Sequence, residues 1–206
     1  ASSEDYEEAI ELAREYLKKH LQRELEANRP IPNPNEGVRF MEHRMALEAY
    51  KNKDFKKAHD IWVEEAKLKN DQAMANLGLM YLKGEGVEKD YAKAKEWFEQ
   101  ASAYDNDSAN FNLALMYQTK IGVEEDIKKA VDYFRRAVAK NHVQAAFRLA
   151  LIQLKDRTDL SGVKEGFNCM LKAAKAGHVM ATVQLTGVDK PLEDGELNKS
   201  FRTKSL

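Results

Sequence analysis

The sequence predicts an all-α fold, a right-handed α/α superhelical solenoid of about four helix pairs with an extra amphipathic helix at its N-terminal end. Two observations support this prediction. Residues 35–190 contain no proline, and a proline inside a helix costs about 3 kcal/mol, so this stretch permits one helix after another. Small and apolar residues in the same stretch also recur every 36 residues, and such a period is typical of stacked helical repeats.

Residues 1–29 are predicted to form one amphipathic helix. Ser3 is a suitable N-cap, and acidic residues fill the first turn, where the helix dipole favours them. Apolar residues then recur every three or four positions, at Tyr6, Ile10, Ala13, Leu17, Leu21 and Leu25. The helix can pack on the first repeat, fold back into the groove of the solenoid or pair with another chain. Packing on the first repeat is favoured, because an exposed leucine stripe invites association.

Two further segments flank the proline-free block. Residues 30–37 hold three of the four prolines and predict a stiff, extended linker. Residues 191–206 are mostly polar without a periodic pattern, which predicts a loosely ordered tail. The block between them contains the repeats.

The 36-residue period is visible at several positions of each repeat. The positions that keep the interval are Ala73, Ala109, Ala145 and Ala181; Leu77, Leu113, Leu149 and Leu185; Asp54, Asp90 and Asp126; and the bulky row Trp62, Phe98, Phe134 and Met170. The pattern divides the chain into repeats at about 38–70, 71–106, 107–142 and 143–178, with a capping helix at 179–188. A single helix pair cannot bury its apolar face alone, so neighbouring pairs must stack.

Each repeat is predicted to contain two helices, here named A and B. In the second repeat helix A covers 72–83, and the glycine-containing turn 84–87 ends it. Asp90 is then the expected N-cap of helix B. The repeats end at Asp105, Asn141 and Gly177, which are residue types that tolerate the left-handed backbone conformation at a helix C-terminus.

Residues 75–98, with the sequence ANLGLMYLKGEGVEKDYAKAKEWF, and the second good copy at 111–137 resemble the Sel1-like repeat family of tetratricopeptide-like α/α solenoids. The resemblance covers roughly 38–188. The first repeat departs from it, with the short turn Lys51-Asn52-Lys53, and the fourth has Asp156–Ser161 in place of the Gly-Val loop and Gly166 in place of alanine. The resemblance implies a binding scaffold for proteins or peptides, without a chemistry of its own.

The A helices of such an array line its concave surface, so the candidate partner-binding residues lie on them. A polar row consists of Asn76, Asn112, Arg148 and Gln184. Their side chains can form hydrogen bonds with the backbone of an extended peptide, and asparagines have this role in related tetratricopeptide grooves. Beside this row lie Phe111, Leu115, Phe147 and Leu151 as possible apolar pockets, and Lys83 completes the set. Arg148 breaks the asparagine pattern, which makes it the most suggestive member.

Structural roles compete with this interpretation. Apolar contacts between A helices are needed to stack the repeats, and packing is the favoured role for the two phenylalanines. The asparagines can serve local backbone groups, and Arg148 can be a solvated charge. The alternative function is a self-assembling structural component, a subunit of a larger complex, that uses the N-terminal helix.

Composition and motifs argue against several other functions. The net charge of −1 disfavours a nucleic-acid binder, and no apolar stretch is long enough to span a membrane. The lone Cys169 and the spacing of the five histidines predict no metal site, and no cofactor is expected. Ser161 and Lys164 match the Ser-x-x-Lys pattern of penicillin-binding enzymes, but the partner motifs are missing, so a serine hydrolase is only a remote alternative and no enzyme is predicted. A cytoplasmic location is expected, with a mitochondrial or periplasmic one as the alternative.

Overall fold

The computed structural model describes Glu15, residues 36–155 and residues 158–186, and in these ranges all regular structure is helical. The helices are α1 (Glu36–Lys51), α2 (Phe55–Lys67), α3 (Asp71–Lys83), α4 (Tyr91–Ser102), α5 (Asp107–Thr119), α6 (Ile127–Ala139), α7 (Val143–Gln153), α8 (Leu160–Lys175) and α9 (Val179–Thr186). The described residues fall into two compact halves, divided between Ala101 and Ser102, which are described separately below. The predicted N-terminal helix, apart from Glu15, and the predicted tail lie outside the described residues.

The helices form the predicted pairs. Repeats 1 to 4 consist of α1–α2, α3–α4, α5–α6 and α7–α8, and α9 is the predicted capping helix. Helix α1 begins at Glu36, so the last two residues of the predicted linker belong to the helix, where the acidic Glu36 suits the first turn. The capping helix covers Val179–Thr186, and residues 187 and 188 of its predicted range lie outside the described residues.

Side chains at the 36-residue interval cap the N-termini of the helices. Asp54, Asp90 and Asp126 accept hydrogen bonds from the backbone N–H three residues later, at 3.2, 3.0 and 3.0 Å, which confirms the predicted role of Asp90. The A helices have caps of their own that the sequence analysis did not predict. These are Asn70, Asn106, His142 and His178, again 36 residues apart.

The turns between repeats contain a residue in the left-handed conformation, as predicted for three of them. Asp105, Asn141 and Gly177 have φ angles of 57°, 67° and 84°, and Lys69 occupies the same position after repeat 1 with a φ angle of 65°. In repeats 2 and 3 the residue that ends helix A also has this conformation. Repeat 2 has Gly84 at a φ angle of 77°, whereas repeat 3 has Lys120 at 58°.

Replacing Lys120 by glycine is therefore expected to raise the free energy of unfolding by about 0.5–1 kcal/mol, because a side chain costs about 1–2 kcal/mol in the left-handed region and glycine loses part of that gain through its flexible unfolded state. Urea unfolding measures the change. The matched control is Lys140→Gly, another lysine at a helix C-terminus but with a φ angle of −93°. An equal gain in the control would contradict the backbone explanation.

The core of each half is built from the bulky row and small residues facing it. Trp62, Phe98, Phe134 and Met170 are at most 2% exposed. In the N-terminal half Phe98 lies directly on Gly78, where an added Cβ would come within 2.5 Å of the Phe98 ring. In the C-terminal half the equivalent Ala114 and Ala150 are fully buried in the core around Phe134 and Met170. This agrees with the small residues at these positions, which allow helices A and B to approach closely.

Repeat 4 differs from the others where its helices join. Helix α8 begins at Leu160, three residues before the position at which α6 begins in the 36-residue alignment. Ser161 was predicted to lie in an inter-helix loop, and this was wrong, because Asp159 caps α8 and Ser161 lies in its first turn. The exceptional Gly166 also has a reason here, since a Cβ would lie 2.8 Å from Cγ of Leu154.

Candidate functional site

The A helices of the C-terminal half carry three members of the polar row. Asn112 on α5 is half-buried, and its Nδ2 donates a hydrogen bond to the backbone oxygen of Ser108 at 2.8 Å, leaving Oδ1 as an acceptor. Arg148 on α7 and Gln184 on α9 are exposed. Within the described residues Arg148 forms no ion pair.

The two phenylalanines beside this row contact histidines that cap the following A helices. The ring of Phe111 stacks on His142 with the centroids 4.5 Å apart, and that of Phe147 stacks on His178 at 4.3 Å. Both phenylalanines and Leu115 are half-buried and pack against the core of this half. Leu151 is 43% exposed and is the most open of the four candidate apolar residues.

His142 combines the stacking contact with a hydrogen bond that needs its neutral form. Its Nδ1 accepts from the backbone N–H of Ala145 at 3.1 Å, which requires that nitrogen to be unprotonated. Burial lowers the pKa of His142, and the negative charge of Asp107 opposes this shift only in part. The two capping histidines therefore have structural roles here. No group of three His, Cys, Asp or Glu side chains in the described ranges is placed to hold a metal ion.

The lowered pKa of His142 predicts a pH dependence of stability. The folded protein binds fewer protons at this site than the unfolded chain, so the stabilisation is complete above the ordinary histidine pKa of about 6.5 and is lost as the pH falls through the lowered folded value. Asparagine caps the equivalent helix at position 106 and does not titrate. When the pH falls from about 7.5 to about 5, the natural chain loses this N-cap and the His142→Asn variant keeps its own. The free energy of unfolding of the variant, relative to that of the natural chain, should therefore rise by up to about 1 kcal/mol, the value of an N-cap.

Urea unfolding at the two pH values checks this. The loss of stacking on Phe111 in the variant is an offset present at both pH values, so it cancels in the comparison. If the free energy of unfolding changed equally with pH in the two proteins, this would contradict a loss of stability through protonation of His142.

The two candidate residues in the N-terminal half, Asn76 and Lys83, contact other side chains of the same half. Asn76 is only 9% exposed, and its Oδ1 lies 3.4 Å from Nε2 of Gln72. Lys83 is exposed, and its Nζ donates to the Tyr50 hydroxyl at 3.1 Å and lies 3.5 Å from the Glu85 carboxylate. The Tyr50 hydroxyl donates in turn to Glu85, and burial together with this carboxylate raises the tyrosine pKa. Tyr50 and Glu85 were not predicted, because they lie 35 residues apart in different helix pairs.

Repeat 1 contains a polar pair where the other repeats are apolar. His43 on α1 and Glu65 on α2 lie 2.8 Å apart between Nδ1 and Oε2, and their side chains are 19% and 4% exposed. The positions 36, 72 and 108 residues further on hold only leucine and alanine, namely Leu79, Leu115 and Leu151 for His43, and Ala101, Ala137 and Ala173 for Glu65. This departure is visible when the repeats are aligned at the 36-residue interval.

The residues of the remote hydrolase alternative lack the environment that its mechanism needs. Ser161 and Lys164 are both exposed on α8, whereas the mechanism requires a buried lysine beside the serine. Cys169 is 7% exposed, and burial raises the pKa of its thiol, so it is present as the unreactive thiol at neutral pH.

Comparison with known families identifies the repeats. The Sel1 repeat pattern matches residues 71–103, 107–142 and 143–178, which together make up half of the chain and coincide with repeats 2 to 4. The chain belongs to the Sel1 repeat family. Sel1 repeats are generally protein–protein interaction modules, so this membership indicates protein partners. No curated protein sequence matches the chain.

Solved structures show the same fold. A Sel1 repeat protein from Oxalobacter formigenes is 24% identical, with a TM-score of 0.65, and the match covers 80% of this chain and 67% of that one. The protective antigen c5321 of uropathogenic Escherichia coli, which has a Sel1-like repeat fold, is also 24% identical with a TM-score of 0.65, over 91% of this chain and 40% of its own. A Sel1 repeat protein from Klebsiella pneumoniae is 16% identical with a TM-score of 0.53, over 81% and 84% of the two chains.

These comparisons and the helix pairs confirm the predicted all-α, Sel1-like solenoid fold. None of the helices in the described ranges combines the length and apolarity needed to cross a bilayer.

Proposed function

We propose that this Sel1 repeat chain is a non-enzymatic scaffold that binds a segment of another protein on the A-helix surface of its C-terminal half. The observation that carries the proposal is the exposed stripe on α7 and α9. Arg148 lies one turn from Leu151 on α7, and Met180 lies one turn from Gln184 on α9. Leu151 and Met180 are 43% and 52% exposed, so apolar surface adjoins a cation that has no ion-pair partner within the described residues.

The chemistry of the stripe suits an extended protein segment. Arginine offers five donors in a planar fork, and the amides of Asn112 and Gln184 add groups that pair with a peptide backbone. The exposed Leu151 and Met180 supply contacts for apolar side chains, and methionine adapts to different partners. Phe111 and Phe147 support this surface from below through their contacts with the core and the capping histidines.

The test is a substitution that removes the side chains proposed to hydrogen-bond the partner and leaves the fold intact. Asn112→Ala combined with Arg148→Ala should weaken the binding of a protein partner at least about tenfold, the effect of about 1.4 kcal/mol. The free energy of unfolding should change by less than about 1 kcal/mol, because Arg148 is exposed and Asn112 bonds only to its own helix.

Partners are first captured on the natural chain and their affinities are then measured by calorimetry. The matched control is Arg136→Ala on α6, an exposed arginine that lies over the ring of Tyr133 and outside the A helices. Equal binding by the double variant and the natural chain would refute the proposed surface, as would an equal loss in the control.

A further inference from the structure

The two A helices that carry the exposed stripe differ from α3 and α5 in the residue that caps them. Asn70 and Asn106 cap α3 and α5, whereas His142 and His178 cap α7 and α9. An asparagine side chain does not titrate, but a histidine accepts the capping hydrogen bond only through an unprotonated nitrogen. The two helices that present the proposed binding surface are therefore the ones whose caps depend on pH.

The hydrogen bonds of His178 need the neutral form of its ring. Its Nδ1 accepts from the backbone N–H of Ala181 at 3.2 Å, and its Nε2 donates to Oε1 of Gln144 at 3.1 Å. Both nitrogens of a protonated ring carry hydrogens, so Nδ1 could no longer accept and the cap would be lost. The bond to Gln144 would remain, because Nε2 donates in both forms. The helix dipole also opposes a positive charge at a helix N-terminus.

The charged groups near the two rings differ. Asp107 on α5 acts on His142, but burial outweighs this acid and lowers the pKa of the histidine, and Lys140 lies in the same turn. Helix α9 has no charged residue, and the charged residues of α7 and of the last turn of α8 are all basic, namely Arg148, Lys172 and Lys175. On these parts of the three helices no carboxylate is available to hold a protonated His178 in place.

Helix α9 depends on its cap more than a long helix does. It has eight residues, Val179–Thr186, and helices shorter than about 12 residues are barely stable without packing and capping. Met180 lies in its first turn, so this exposed part of the stripe loses its fixed position when the turn opens. An N-cap shifts the equilibrium between the closed and the open turn about fivefold.

We propose that His142 and His178 make the A-helix surface of the C-terminal half sensitive to acid, so that protonation of the two caps opens the first turns of α7 and α9 and releases a bound segment. The opening is a property of the free chain, and only the release rests on the proposed function. The response is local, because the asparagine caps of α3 and α5 do not titrate.

Hydrogen exchange, measured by NMR on the full chain without a partner, tests the opening. The N–H groups of Ala146 and Thr182 donate to the carbonyl oxygens of the two capping histidines, each at 3.1 Å, and that of Asn110 donates to Asn106 in the same way at 3.0 Å. When the pH falls from about 7.5 to about 5, the protection factors of Ala146 and Thr182 should fall about three- to fivefold. The protection factor of Asn110 should stay the same, because its helix has an asparagine cap.

The matched control is the double variant His142→Asn with His178→Asn, in which all three protection factors should be independent of pH. The release is measured by calorimetry with the partner that the natural chain captures at about pH 7.5. Between about pH 7.5 and about pH 5 the natural chain should lose at least about threefold more affinity than the double variant.

Two results would overturn the proposal. One is a change at Ala146 and Thr182 that is no larger than the change at Asn110, since the caps would then not open. The other is an equal loss of affinity in the natural chain and the double variant, since the caps would then not control release. A failure of the proposed function is distinct from both, because it appears already at about pH 7.5 as unchanged binding by Asn112→Ala with Arg148→Ala.

Discussion

Replacing His43 by leucine is expected to lower the free energy of unfolding by about 3–5 kcal/mol. The substitution removes the hydrogen-bond partner of a carboxyl group that is only 4% exposed, and a buried polar group left without its partner is costly. One oxygen of Glu65 already has no hydrogen-bond partner within the described residues, so no other group is placed to replace the histidine. Urea unfolding of the variant measures the loss.

The double variant His43→Leu with Glu65→Ala should recover this loss and equal or exceed the natural chain in stability. It gives repeat 1 the leucine and alanine that the other repeats have, and replacing a buried polar pair by apolar residues is often neutral or stabilising. A double variant as unstable as the single one would show that repeat 1 needs the polar pair for its own packing.

Phe111→Ala is expected to lower the free energy of unfolding by about 2–3 kcal/mol. The phenylalanine loses its contacts with the core of the C-terminal half and its stacking on His142, and half-burial keeps the loss below that of a fully buried ring. Leu151→Ala should change the stability by less than about 0.5 kcal/mol, because Leu151 is 43% exposed.

Urea unfolding of Phe111→Ala and Leu151→Ala distinguishes a residue that stabilises the fold from one whose exposed surface can contact a partner. Phe147→Ala is a second control, since Phe147 stacks on His178 in the same way and should give a loss similar to that of Phe111→Ala. Full stability in Phe111→Ala would contradict its packing role and return it to the candidate pocket residues.

The fold was predictable because the residues that determine it, the helix caps and the core positions, recur in the sequence at a fixed interval. The 36-residue interval locates the helix pairs, and the spacing of Asp54, Asp90 and Asp126 locates the starts of the first three B helices. The start of α8 was missed, because Asp159 lies three residues before the interval would place a cap. A period describes what repeats share and carries no information about a local shift of this kind.

The candidate site was predictable only as a choice of helix face. A helical wheel places Asn76 and Asn112 alike, but Asn76 is buried and Asn112 is half-buried. The stacking of Phe111 on His142 joins residues 31 positions apart, across a turn, two helices and their connecting loop. Such contacts depend on how the helices pack against each other, which hydrophobic periodicity alone does not determine.

The contact between each phenylalanine and the following capping histidine has a consequence for engineering the array. Each histidine caps the A helix of one repeat and rests on an aromatic ring from the repeat before it. The histidine that ends each of these two repeats therefore couples it to the next, because it is held by a phenylalanine of its own repeat and caps the helix that follows. Anyone who lengthens or shortens the protein by whole repeats after residue 106 should keep each phenylalanine together with the histidine that ends the same repeat.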